Sequence, residues 1–147
     1  MLGVLFGAPV APVVLSACTT PPAAPPAPDP LADLASTARA DASFARAVAA
    51  AVPALAAAAG SVADARSAHA EVLQREVDRA RPPRTPASSS SAVPPVVDPA
   101  SARGQLVDGL RAAEKRIGGL IGSVPRYRAG LLGSVAAGCA SLREVFG

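Results

Sequence analysis

Alanine, leucine and valine must build nearly all of this chain's interior, because aromatic residues make up 3% of its 147 positions and tryptophan is absent. Small side chains fill a core only where backbones approach closely, which helices packed side by side allow. Apolar residues recur at helical spacing in four segments. The first stripe is Leu34, Ala38, Ala45, Val48, Val52 and Leu55, with Asp41 interrupting it. The second is Val62, Ala65, His69, Val72, Leu73, Val77 and Ala80. In the third, Leu106, Leu110, Ala113, Ile117, Leu120, Ile121 and Val124 face one way, mostly opposite Asp108, Arg111, Lys115 and Arg116. The fourth carries Leu131, Leu132, Val135, Cys139, Leu142, Val145 and Phe146. It is apolar almost all round, which predicts the most buried position.

Punctuation agrees with this division. Asp29-Pro30 and Asp98-Pro99 each join an N-cap acid to a proline at the first helical position, where a missing N–H costs nothing. Gly60-Ser61 with Asp64 predicts a start in which Ser61 caps. Ser123-Val124-Pro125 predicts a fourth, and Pro53 should kink or end the first helix. Short connections make successive helices antiparallel. The expectation is therefore all-α: an antiparallel up-down four-helix bundle of two hairpins, about 29–81 and 98–146. The bundle domain would span 30–147, with a Pro/Ser-rich loop over 82–97 that includes Ser88 to Ser91.

The segment before the helices sets location. Residues 1–17 carry no charge and one hydroxyl, and they end in Leu15-Ser16-Ala17 before Cys18. Interrupted by Pro9 and Pro12, this run falls short of the roughly 20 apolar residues of a spanning helix, but it suits a signal peptide. Leu15-Ser16-Ala17-Cys18 resembles a bacterial lipobox, which implies cleavage before a Cys18 that carries acyl chains. No basic residue precedes Arg39, so the expectation includes a true start upstream of Met1. An ordinary secretory cut that leaves Cys18 as a free thiol is the alternative. Residues 18–29 would then form a lipidated, proline-rich linker, a stiff polyproline spacer able to hold a domain on the order of 30 Å from its anchor.

Chemistry-bearing constellations are sparse. His69 is the sole histidine, so neither paired Glu-x-x-His metal motifs nor a choice of catalytic base exists. Arg66 stands where a first glutamate would be needed. Gly133-Ser134 lies within a helical pattern, not on a strand–helix elbow. Cys139 reads as a small buried hydrophobe, with a Cys18–Cys139 disulfide as the other option if Cys18 is not acylated. Gly130, Gly133 and Gly138 are expected to let helices approach closely. No catalytic residue, metal site or cofactor is predicted. Arg75, Arg79, Arg81 and Arg84 cluster where the second helix ends; they suit either anionic lipid head groups or a solvated helix terminus. A net charge of +3 without aromatic platforms argues against nucleic-acid binding.

The run from Tyr127 to Ala140 (Tyr-Arg-Ala-Gly-Leu-Leu-Gly-Ser-Val-Ala-Ala-Gly-Cys-Ala), with Ala65-Arg66-Ser67-Ala68-His69-Ala70, resembles small alanine-rich lipoproteins of mycobacteria and related actinobacteria. Residues with GC-rich codons are favoured throughout (a single lysine, no asparagine), which fits a high-GC bacterial genome. The resemblance implies a lipid-anchored protein of the cell envelope, on the outer face of the cytoplasmic membrane, and supplies no catalytic residues. A looser likeness to ferritin-like helical bundles concerns architecture alone. The functional expectation is a non-enzymatic, membrane-anchored helical module that binds or scaffolds another envelope protein. The alternative is a carrier that admits an acyl chain inside the bundle.

Overall fold

The computed structural model describes residues 27–82 and 99–147, and these are all-helical, with no strand among them. The four α-helices are α1 (Pro30–Ala51), α2 (Ala56–Ala80), α3 (Pro99–Ile121) and α4 (Arg126–Glu144), and a 3-10 turn, Pro53–Leu55, joins the first two. The signal-peptide segment, the linker up to residue 26 and most of the 82–97 loop lie outside the described residues, as does the Asp98 cap.

Local chemistry accounts for the helix ends. Asp29 caps α1 by accepting a hydrogen bond from the Leu31 N–H at 3.0 Å, with Pro30 in the first turn. Val52, placed before Pro53, takes an extended conformation (φ −126°, ψ 89°), and α1 stops there. Pro125 likewise precedes the first residue of α4. Ser61 departs from expectation. α2 has already begun at Ala56, and the Ser61 hydroxyl donates back to the Ala57 carbonyl at 3.1 Å. Four alanines after the proline turn sustain the helix without needing a cap at Ser61.

Packing is pairwise and dense. α1 lies against α2, and α3 against α4; α1 also touches α3, and α2 touches α4. Contacts between α1 and α2 run in opposite numerical senses: Arg39 meets Gln74, while Arg46 meets Ser67. Alanine supplies much of this interface, with Ala35, Ala38 and Ala45 completely buried. Two apolar clusters form. One gathers Val48 and Val52 with Ala59, Val62, Ala102, Leu106 and Phe146. The other gathers Leu31 and Leu34 with Leu73, Ile117, Leu132 and Val135.

Those memberships correct the expected chain order. The start of α1, the end of α2, the end of α3 and the start of α4 share one cluster; the four opposite ends share the other. α2 and α3 therefore run the same way, and the order is up-down-down-up. The up-down expectation assumed that a short connection joins α2 to α3. Instead Pro82 and Pro99 lie at opposite ends, separated by about the 34 Å length of a 23-residue helix. Residues 83–98 have length enough to cover that distance.

Two burial expectations also change. α4 buries one face only (Arg128, Leu132, Val135 and Cys139), whereas α1 buries seven residues and is the best covered helix. Alanine, glycine and serine on the other face of α4 tolerate water, so low polarity there did not signal burial. In α2 the buried line is Ala59, Val62, Ala63, Arg66, Ala70 and Leu73, rotated from the expected stripe because an arginine occupies its centre.

The crossing order is testable by deletion. Removing residues 86–95 leaves six residues between Pro82 and Pro99, a reach of about 24 Å. That variant should lose its cooperative monomeric thermal transition in circular dichroism, whereas a Gly/Ser insertion there should be tolerated. A stable monomer after the deletion would contradict the order.

Candidate functional site

Two groups of charged side chains stand out, one buried midway along the helices and one at the end where the described chain begins. The buried group centres on Arg66, whose side chain is 2% exposed. It extends from α2 to α1, where Nη2 and Nε donate to Asp41 Oδ2 at 2.7 and 3.2 Å. Its Nη1 donates to His69 Nδ1 at 3.3 Å and lies 3.5 Å from Cys139 Sγ on α4. Asp41 is the residue that breaks the apolar stripe of α1, and Arg66 explains why it faces inward. That interruption was the one sequence signal of the ion pair.

The electrostatics make this cluster quiet. Burial, with the adjacent Arg66 charge, lowers the His69 pKa from its ordinary 6.5, so the ring is neutral at pH 7. Accepting from Arg66 at Nδ1 leaves the ring proton on Nε2. Burial raises the pKa of Cys139, against the pull of Arg66, so it stays a thiol. Neutral imidazole and protonated thiol form no activated nucleophile. A void that borders Asp41, lined also by Phe44, Leu106 and Leu110, holds about 20 Å³. The guanidinium would also oppose a cation, and among the described residues no three His, Cys, Asp or Glu side chains converge as ligands.

Gly138 completes the fit. A Cβ at that position would lie 2.8 Å from His69 Nε2, so only glycine lets the imidazole slot between α2 and α4 without displacement. Gly130 and Gly133 have nothing within 4 Å of such a Cβ and mediate no close helix approach, contrary to expectation.

The second group joins three helices at one end. Arg128, at the start of α4, is 8% exposed. Its Nε donates to Glu76 at 2.7 Å, and its Nη1 donates to both carboxylate oxygens of Asp29 at 2.9 and 3.2 Å. Asp29 thus caps α1 and ties it to α4. Glu76 also receives two bonds from Arg79, which holds its carboxyl below the usual range, with Arg128 adding to the effect. Arg79 lies 5.0 Å from the Tyr127 ring centroid, a cation–π contact.

Of the basic cluster expected from sequence, Arg75, Arg79 and Arg81 are exposed at this end. Arg81 Nη1 donates to the Ala27 carbonyl at 2.6 Å, so the chain enters the helices beside it. Arg84, Cys18 and Leu15, Ser16 and Ala17 of the lipobox lie outside the described residues. Sequence reasoning overlooked Arg126, Arg128 and Tyr127, which belong to the same end. The absence of any carboxylate between Glu114 and Glu144 was the available signal.

No described helix is long and apolar enough to cross a membrane. No protein-family description, curated protein or solved structure matches the chain.

Two measurements check the buried cluster. Asp41→Ala strands the Arg66 guanidinium and should lower stability by about 2–3 kcal/mol in urea unfolding. The apolar pair Asp41→Leu with Arg66→Met should recover most of it. His69 binds its proton near pH 6.5 when unfolded and only at lower pH when folded. The unfolded state therefore binds more protons in that window, and stability should fall as pH drops below 6.5. Tm compared at pH 7.5 and about pH 5 should show this slope in the wild type and lose it in His69→Gln.

Proposed function

We propose that this chain is a non-enzymatic, lipid-anchored helical module of the bacterial cell envelope. An acylated Cys18 holds it on the outer face of the cytoplasmic membrane, where it binds or scaffolds another envelope component. The observation that carries this reading is Leu15-Ser16-Ala17-Cys18, at the end of an uncharged apolar run and followed at once by a proline-rich spacer. The likeness of Tyr127–Ala140 to alanine-rich actinobacterial lipoproteins points the same way.

In this reading the two hairpins, α1–α2 and α3–α4, pack as an antiparallel four-helix bundle with the crossing order given above. The described chain begins at Ala27, whose carbonyl accepts a hydrogen bond from Arg81, so the segment running back to Cys18 joins the helices at the basic end. No cofactor is called on: binding rests on surface shape and charge.

A carrier for an acyl chain inside the bundle is less well supported. A carrier needs a roomy apolar interior, whereas the space between the helices is filled by the two apolar clusters. The larger hollows are open surface grooves: one of about 910 Å³ between α1 and α2, flanked by Arg39, Arg46 and Arg75, and one of about 760 Å³ between α1 and α3. Such grooves suit a partner docking from outside.

Metabolic labelling with radioactive palmitate, comparing wild type with Cys18→Ala, tests the anchor. The label should be lost in the variant. Unlabelled wild-type protein, or label that persists in Cys18→Ala, would refute acylation at this site.

A further inference from the structure

We propose that the end of the bundle formed by the α3–α4 turn, the start of α1 and the end of α2 is a lipid-contact face that docks on an anionic bilayer. Ile121 and Tyr127 enter the interfacial region, while Arg79, Arg81 and Arg126 meet the head groups. The inference deepens the membrane-tethered reading above by assigning the contact surface and the lipid class.

Charge is distributed unevenly along the molecule. Residues 27–33, 75–82 and 115–130, which make up this end, hold seven cations: Arg75, Arg79, Arg81, Lys115, Arg116, Arg126 and Arg128. They hold four carboxylates, Asp29, Asp33, Glu76 and Asp78. Seven against four leaves +3. The other described residues carry six cations and six carboxylates and are neutral. The excess charge of the described residues is therefore concentrated at this end, so they have a charge polarity that orients the molecule in the field of an anionic surface.

The carboxylates there are partly withdrawn from solvent. Asp29 and Glu76 are engaged by Arg128, and Glu76 also by Arg79. Arg126 and Arg81 stay exposed, and Arg81 binds a neutral carbonyl. Exposed apolar groups gather at the same place. Among the described residues three large hydrophobic side chains are exposed, and two of them, Tyr127 at 58% and Ile121 at 37%, flank the α3–α4 turn. Between them lie Gly122, Ser123, Val124, Pro125 and Arg126, with no acid. A tyrosine beside arginines matches the composition favoured at the lipid–water boundary.

Where the tether enters selects this end over the other. Cys18 lies nine residues before Ala27, a reach of about 30 Å when fully extended. α1 is itself about 33 Å long. A membrane anchor at Cys18 lets the basic end touch the bilayer with slack, whereas the far end lies beyond the length of the tether.

The test uses the full chain carrying Cys18→Ala, so that acyl chains do not contribute, and vesicles made with brominated acyl chains. Tyr127 is the only tyrosine and there is no tryptophan, so tyrosine emission reports this face alone. Vesicles containing phosphatidylglycerol should quench it, and phosphatidylcholine vesicles much less. The double variant Arg81→Glu, Arg126→Glu should melt as the parent does and partition onto the anionic vesicles at least about tenfold more weakly. Quenching equal on both lipids, absence of quenching, or partition unchanged by the charge reversal would overturn the proposal. The anchor is read separately by palmitate labelling of the wild type. Label without quenching keeps the anchor and removes the face; quenching without label keeps the face and removes the anchor.

Discussion

A guanidinium buried at the centre of four alanine-rich helices is the constraint around which the rest of the structure is arranged. Arg66 reaches Asp41 on α1 and Cys139 on α4, and Gly109 on α3 lies against the same aspartate. It stands between the two apolar clusters, so every helix has a fixed relation to it. The net stability of such a pair is small or even unfavourable, because both charges lose water. Its effect is on uniqueness. Alanine faces are nearly alike from turn to turn, and a slide by one turn would replace alanine with alanine at little cost. The same slide would part Arg66 from Asp41 and leave a charge unpaired in the interior, which is expensive.

The second tie, Arg128 with Asp29 and Glu76, does for the end where α1 begins what Arg66 does for the middle. It draws the starts of α1 and α4 to the end of α2 through short, charge-assisted bonds. By engaging Asp29 and Glu76, it also leaves the exposed Arg81 and Arg126 without a carboxylate partner among the described residues. Structural pairing and surface charge are thus linked: the acids that fasten the helices are the ones that would otherwise cancel the positive end.

His69 illustrates how a residue that reads as chemistry becomes packing. One histidine on an apolar face invites a catalytic or metal role. Its neighbours instead hold it neutral, supply Arg66 as a donor and press it against Gly138. Cys139 is treated similarly, as a buried thiol whose pKa is raised by burial. Activation would need a polarised, accessible pair, and here both groups are held in their neutral forms.

The sequence by itself determined the helices and most of their limits, because those depend on local physics. Periodic Leu, Val and Ala, the Asp29-Pro30 cap and the stops at Pro53 and Pro125 act within a few residues. The inward faces of α1 and α3 were legible for the same reason, up to Ile121, which turned out to be exposed. Tertiary structure decided what depends on distant partners. An arginine at the centre of the α2 stripe reads as solvent-facing until Asp41 answers it from 25 residues away. The direction of α3 could not be read from periodicity, since an amphipathic stripe packs equally well either way up. The basic end, likewise, exists only because the tips of four helices, far apart along the chain, are brought together in space.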